Sequence, residues 1–160
     1  MFEDEPVTES RLITSRRYFI VLKMTFDIFA VNNDFDAISE CIRLDPVAYY
    51  GMNIIDYLTV NTDRHPENWG VMIDNSTNEA VSLYPLMDFN LCFNSYDTID
   101  GAHCQAVLPE CMTQREAAID AVKHIGLRQV KDIDTSLFDD TTEWRDMFFR
   151  RLNELGKFSE

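Results

Sequence analysis

Residues 61–90 read NTDRHPENWGVMIDNSTNEAVSLYPLMDFN, and the order of signals in this stretch decides the fold. Residues 69–73 (Trp-Gly-Val-Met-Ile) and 80–84 (Ala-Val-Ser-Leu-Tyr) are short runs with strand character. Asp74 to Glu79, between them, is a cluster of turn-forming residues, so the pattern predicts a β-hairpin. Toward the N-terminus, Asp45 supplies a helix N-cap. Pro46 follows at the first helical position, where its missing N–H costs nothing. Val47, Tyr50, Ile54 and Leu58 then recur at helical spacing, which predicts a helix running to Thr59 with that face buried. Helix, polar loop and hairpin therefore follow one another directly.

Working further outward, Asp34 to Leu44 has the pattern of a short amphipathic helix. From Thr8 to Val31 a helical pattern is mixed with a β-branched and aromatic stretch, Tyr18 to Leu22. Periodicity does not decide between the two, and we read the region as helix. Beyond the hairpin, Thr113 and Glu116 form a capping box that opens a helix over Arg115 to Ile125, with Gly126 placed to end it. Trp144, Phe148, Leu152 and Leu155 recur at three- and four-residue intervals with Gly156 just beyond, which predicts a last helix packing an aromatic stripe on the core. No repeat, low-complexity tract or Pro/Gly-rich linker divides the chain. The expected fold class is mainly α with a small β-hairpin, an α+β arrangement in a single domain over residues 1–160.

The composition narrows the functional classes. With 160 residues and 46% hydrophobic content, the chain is long and apolar enough to bury a core. Lys and Arg number 14 against 28 for Asp and Glu, and the resulting formal charge of −14 repels phosphate backbones and anionic lipid, so no direct nucleic-acid binding is expected. The longest apolar run, Tyr18 to Leu22, is stopped by Lys23, far short of the roughly 20 residues that span a bilayer. The opening residues are acidic where a secretory signal needs positive charge. A cytoplasmic protein with no membrane role is the expectation. Cys41, Cys92, Cys104 and Cys111 lack paired zinc-site spacing and read as reduced thiols, and His103, Cys104 and Cys111 have no fourth metal ligand at a usual spacing.

The chemistry concentrates on the loop between helix and hairpin. Phosphoryl transfer needs a carboxylate near the attacking hydroxyl, oxygen ligands for Mg²⁺, and a frame that fixes both. Asp63 and Asn68 stand five positions apart, the Asp-x-x-x-x-Asn spacing of a kinase catalytic loop, with the first as proton acceptor and the second as neutral metal ligand. A hairpin returns the chain to its starting end, so Asp88, directly after the second strand, is placed to add a second oxygen ligand for Mg²⁺. Arg64 reads as an ion-pairing loop residue, and His65 taken alone as a packed or capping histidine.

Asp63-Arg64-His65-x-x-Asn68, a hairpin, and then Asp88-Phe89 resemble the catalytic and metal-binding motifs of phosphatidylinositol 3/4-kinase-like enzymes. Within that group the stretch Asn61-x-Asp63-x-His65-x-x-Asn68-x-Gly70 followed by Pro85-Leu86-x-Asp88 is most similar to the HipA-like bacterial kinases. The clear motif covers about a quarter of the chain. The resemblance implies the C-terminal lobe of a protein-kinase-like fold. It implies ATP- and Mg²⁺-dependent phosphorylation of a protein Ser/Thr acceptor, with ATP and Mg²⁺ as cofactors. Carried over, Asp63 would be the catalytic base, His65 a neighbour of the γ-phosphate, and Asn68 and Asp88 the cofactor- and metal-binding residues.

The chain departs from that pattern in two places. Asn90 stands where many protein kinases have glycine, which makes a backbone flip there harder. No glycine precedes Gly51, so a Gly-rich phosphate-covering loop is missing, and Lys23 has too few residues before it to be the strand lysine of a nucleotide lobe. The expectation is therefore a C-terminal catalytic lobe that is incomplete on its own, either a piece of a longer kinase or a protein completed by a separate N-terminal-lobe chain. The alternatives are a lipid or small-molecule kinase, or a non-catalytic kinase-fold binding module for a regulatory or antitoxin-like protein.

Overall fold

The computed structural model describes residues 18–21, 37–65, 68–84, 86–93, 98–101, 108–109, 111–127, 133–138 and 142–159. The described elements, in chain order, are β1 (Tyr18–Val21), α1 (Ala37–Leu44), α2 (Pro46–Thr59), β2 (Val71–Asp74), β3 (Ala80–Leu83), α3 (Gln114–Ile125), a 3-10 turn (Thr135–Phe138) and α4 (Thr142–Gly156). The protein is α+β and mostly helical among these residues, with an antiparallel hairpin.

α2 starts where its sequence says it should. The Asp45 carboxylate accepts the Ala48 N–H at 3.0 Å, satisfying one of the orphan donors of the first turn, and Pro46 occupies the first position. Tyr50, Ile54 and Leu58 are buried as the spacing predicts. Val47 is not: it is 50% exposed, because one turn into the helix this face is beside an open cavity instead of the core. Ala117, Ala118 and Ala121 of α3 are almost wholly buried, and Ala118 and Ala121 lie in the same core as α2. Such short side chains let two helices pack closely. The capping box that opens α3 is present in both directions between Thr113 and Glu116, and Gly126 caps its end.

β2 and β3 form the expected hairpin, with Val71 opposite Leu83 and Met72 opposite Ser82. The register then slips, Ile73 facing Ala80, so Val81 has no partner across the ladder and is 41% exposed. The hairpin is part of a larger sheet. β1 pairs antiparallel with the other edge of β2, Tyr18 opposite Asp74 and Val21 opposite Val71, giving the order β1-β2-β3. This corrects the helix expected through this region. At residues 18–21 the open edge of β2 offers the backbone its hydrogen-bond partners, and that tertiary context favours the β-branched and aromatic run as a strand. The rest of the stretch from 8 to 31, Lys23 included, and the expected helix start at 34–36 lie outside the described residues, as do His103 and Cys104.

α4 carries Phe148 and Leu155 into the core, but Trp144 is 43% exposed and stacks on Phe93, with ring centroids 5.3 Å apart. The predicted aromatic stripe therefore leaves the core at its first residue. The helix also runs through Gly156 instead of ending before it. Cys41, Cys92 and Cys111 are free thiols. Among the described residues no helix is long and apolar enough to cross a membrane.

The Asp45 cap gives the first test. Asp45→Ala should lower unfolding free energy by about 1 kcal/mol, and Asp45→Asn by less, because the amide oxygen can still accept the Ala48 N–H. Urea unfolding curves of equal slope would measure the difference.

Candidate active site

The site is built on a strained turn. α2 ends in Val60 with φ 52° and ψ 44°, left-handed values that a β-branched residue rarely adopts, and its N–H caps the helix on the Asp56 and Tyr57 carbonyls. The turn delivers Asn61, fully buried, back against α2, where its Nδ2 donates to the Asp56 carboxylate at 2.9 Å. Its Oδ1 accepts the Asp63 N–H at 3.2 Å. From there the loop closes on itself. The Asp63 carbonyl accepts both the His65 N–H at 2.9 Å and the Asn68 Nδ2 at 2.6 Å, and the Asn68 N–H donates to the His65 carbonyl at 3.0 Å.

At the centre of this loop is Arg64, wholly buried. Its Nε and Nη2 donate to the two carboxylate oxygens of Asp56 at 2.9 and 2.8 Å, a forked ion pair with the partner also almost fully buried. Its Nη1 donates to the Asn68 carbonyl at 2.9 Å and to the Met87 carbonyl at 2.8 Å. The Phe89 ring faces the guanidinium 5.0 Å from its centroid. One nitrogen therefore holds together the backbone at Asn68 and the backbone just before Asp88, twenty positions on. Asp88 is exposed and adopts φ 56° with its carboxylate near the Asn90 N–H at 3.4 Å.

The loop residues singled out from the sequence thus lie around one feature. Asp63 and His65 are partly exposed, with His65 Nε2 3.9 Å from the Asp63 carboxylate. Asn68 is buried, its amide spent partly on the loop itself, and Asp88 is exposed. Arg64 holds them together, although from sequence it reads only as an ion-pairing residue. A signal for its importance was present in Asp56, a carboxylate set in the apolar run Ile54-Ile55-Asp56-Tyr57-Leu58, where burial demands a cationic partner. Cys92 is a neighbour of the site, donating to Thr59 Oγ1 at 3.3 Å. Burial pushes its thiol up from the ordinary range, which disfavours the thiolate.

A cavity of about 520 Å³ opens next to the loop, lined by Val47, Gly51, Trp69, Gly70, Tyr84 and Leu86 among others. Its volume and apolar lining are those of a small-molecule site. Gly70 lies two residues after Asn68 and Leu86 two before Asp88, so the cavity adjoins the same strand ends. Among the described residues no three His, Cys, Asp or Glu side chains gather into a metal-holding group. Comparison with protein-family models, with curated proteins and with solved structures gave no match to this chain.

Breaking the Arg64–Asp56 pair from one side leaves a buried charge without its partner. Arg64→Met and Asp56→Leu should each cost about 3–5 kcal/mol, whereas the double variant should lose far less than their sum. Additive losses in chemical denaturation would show that the two groups do not depend on one another.

Proposed function

We propose that the chain is the C-terminal catalytic lobe of a HipA-like kinase that transfers the γ-phosphoryl group of ATP to a Ser/Thr hydroxyl of a protein. The observation that carries this reading is the pair of bonds from Arg64 Nη1, which bring the carbonyls of Asn68 and Met87 to one nitrogen. That contact ties the loop bearing Asp63 and Asn68 to the segment bearing Asp88. In a reaction whose catalysis is chiefly positioning and charge stabilisation, such a frame is what the protein must supply.

The residues present fit a magnesium ion by donor chemistry. One carboxylate, Asp88, and one amide oxygen, Asn68, are hard ligands. Mg²⁺ characteristically takes one or two protein carboxylates and completes its shell with water and phosphate oxygens. Bound there, the ion would neutralise charge on the phosphates. Asp63, held by the Asn61 side chain and partly exposed, accepts the proton of the acceptor hydroxyl as its oxygen bonds to phosphorus and the bridge to the β-phosphate breaks, releasing ADP. His65, its Nε2 3.9 Å from the Asp63 carboxylate, would face the transferred group. The apolar cavity between Trp69, Gly70 and Leu86 has room for a flat heteroaromatic base next to the strand ends that carry the ion ligands.

With an N-terminal nucleotide lobe supplied, Asp63→Asn and Asp88→Asn should each abolish transfer of labelled γ-phosphate from ATP to protein acceptors while leaving the melting temperature nearly unchanged, since both side chains are at least partly exposed. Wild-type rates in both variants would sink the assignment. With an N-terminal nucleotide lobe supplied, ATP with Mg²⁺ should raise the melting temperature of the wild-type protein and not that of Asp88→Asn. A protein stabilised by a basic regulatory partner, but not by nucleotide, would instead be a binding module.

A further inference from the structure

Asp63 is held in place by an element far away in sequence. Gln114, the first residue of α3, is 1% exposed and its Nε2 donates to the Asn61 carbonyl at 2.6 Å. Asn61 in turn holds the Asp63 N–H on its side-chain oxygen and the Asp56 carboxylate on its Nδ2. The start of α3 is fixed by the Thr113–Glu116 capping box, so the backbone carrying Gln114 has little freedom to drift. The Gln114 side chain is fixed from the other side by Gly101. At φ 74°, a Cβ on residue 101 would lie 2.3 Å from Gln114 Oε1 and 2.8 Å from its Cβ, so only glycine leaves room for the amide where it stands. The Arg115 N–H donates to the Asp100 carbonyl at 3.0 Å, seating this tight crossing on the helix start.

We propose that Gln114 is a positioning residue for Asp63, acting through Asn61, with Gly101 as the packing wedge that holds its amide on the loop. The proposal rests on the kinase reading for its catalytic consequence, but the mechanical link from Gln114 to Asp63 is independent of it. A buried amide in this place is more than core filling, because an apolar side chain of equal length would fill the volume and leave the Asn61 carbonyl without this donor. The loop would then relax at Asn61, and Asp63 moves with it.

Gln114→Met keeps the size and removes the donor, Gln114→Glu keeps the shape and reverses the polarity toward the carbonyl, and Gly101→Ala displaces the amide while residue 114 stays glutamine. Amide NMR of the full chain, with Mn²⁺ added as the metal probe, reads all three. The Asp63 and His65 amide signals should shift in each variant while those of β2 and β3 stay put. Mn²⁺ affinity, read from the broadening at Asp88, should fall roughly 10- to 100-fold, the usual effect of losing an outer support of a site. With a nucleotide lobe and an acceptor protein supplied, kcat should fall while KM for ATP is held, since the cavity is untouched. Unmoved Asp63 signals in every variant that folds would overturn the positioning role, whatever Mn²⁺ does. No Mn²⁺ broadening in the wild-type protein would instead count against the kinase reading, and shifted Asp63 signals would still uphold the link.

Discussion

A buried ion pair at the end of one helix constrains the rest of this molecule. Transferring a guanidinium and a carboxylate out of water costs several kcal/mol each, and the cost is recovered only where geometry is good and the remaining donors are filled. Asp56 and Arg64 meet that demand. The fork uses Nε and Nη2, and Nη1 finds two carbonyls, so four N–H groups of Arg64 have named acceptors within 3 Å. Those two carbonyls belong to the backbone of Asn68 and Met87. Satisfying the charge therefore requires the loop after α2 and the segment after β3 to come together. Lysine could not substitute, having a point charge where the site needs a planar fork.

The same constraint accounts for backbone strain around the site. Val60, Asp88 and Phe93 all take left-handed φ values, 52°, 56° and 55°, at a cost of order 1 kcal/mol or more for each such residue. Val60 turns the chain sharply enough to return Asn61 to α2. Asp88 turns it directly after the Met87 carbonyl has been captured by Arg64. At Phe93 the N–H is donated to the Thr59 carbonyl, so this turn too is closed against the end of α2. Three unfavourable conformations converge on one helix terminus, where the surrounding hydrogen bonds over-determine them.

What the sequence made legible follows from how local each signal was. The Asp45 cap, the Thr113–Glu116 capping box and the turn residues 74–79 are each decided within a few residues, and the elements they bound lie where those signals put them. β1 was ambiguous because a four-residue run cannot by itself distinguish strand from helix. It is settled by the free edge of β2, some fifty positions away. Val47 and Trp144 sit at correct helical spacing, yet are half exposed. Periodicity says which residues share a face and not how far the opposing surface extends. In the candidate site the spacing of Asp63, Asn68 and Asp88 could be read directly, whereas Arg64, Gln114 and Gly101 could not. Their importance lies in contacts that cross 23, 53 and 13 positions of chain.

The C-terminal half has a further reason to be attached to this site. The last turn of any α-helix leaves carbonyl oxygens without intrahelical donors, and its negative end favours cations. α2 ends inside the protein, where water cannot answer that need. Arg151 of α4, wholly buried, reaches the Tyr57 carbonyl with Nη1 at 3.2 Å and lies over the Tyr57 ring at 4.6 Å, while Nη2 donates to the Thr98 carbonyl. Thr98 belongs to the stretch that ends at Gly101 and the Gln114 crossing. Thus α3 and α4 both serve the terminus of α2, one through an amide on Asn61 and one through a guanidinium on Tyr57. Removing either helix would take a buried donor from the carbonyl of Asn61 or of Tyr57, which is why a site written in thirty residues needs a chain several times that length to hold its shape.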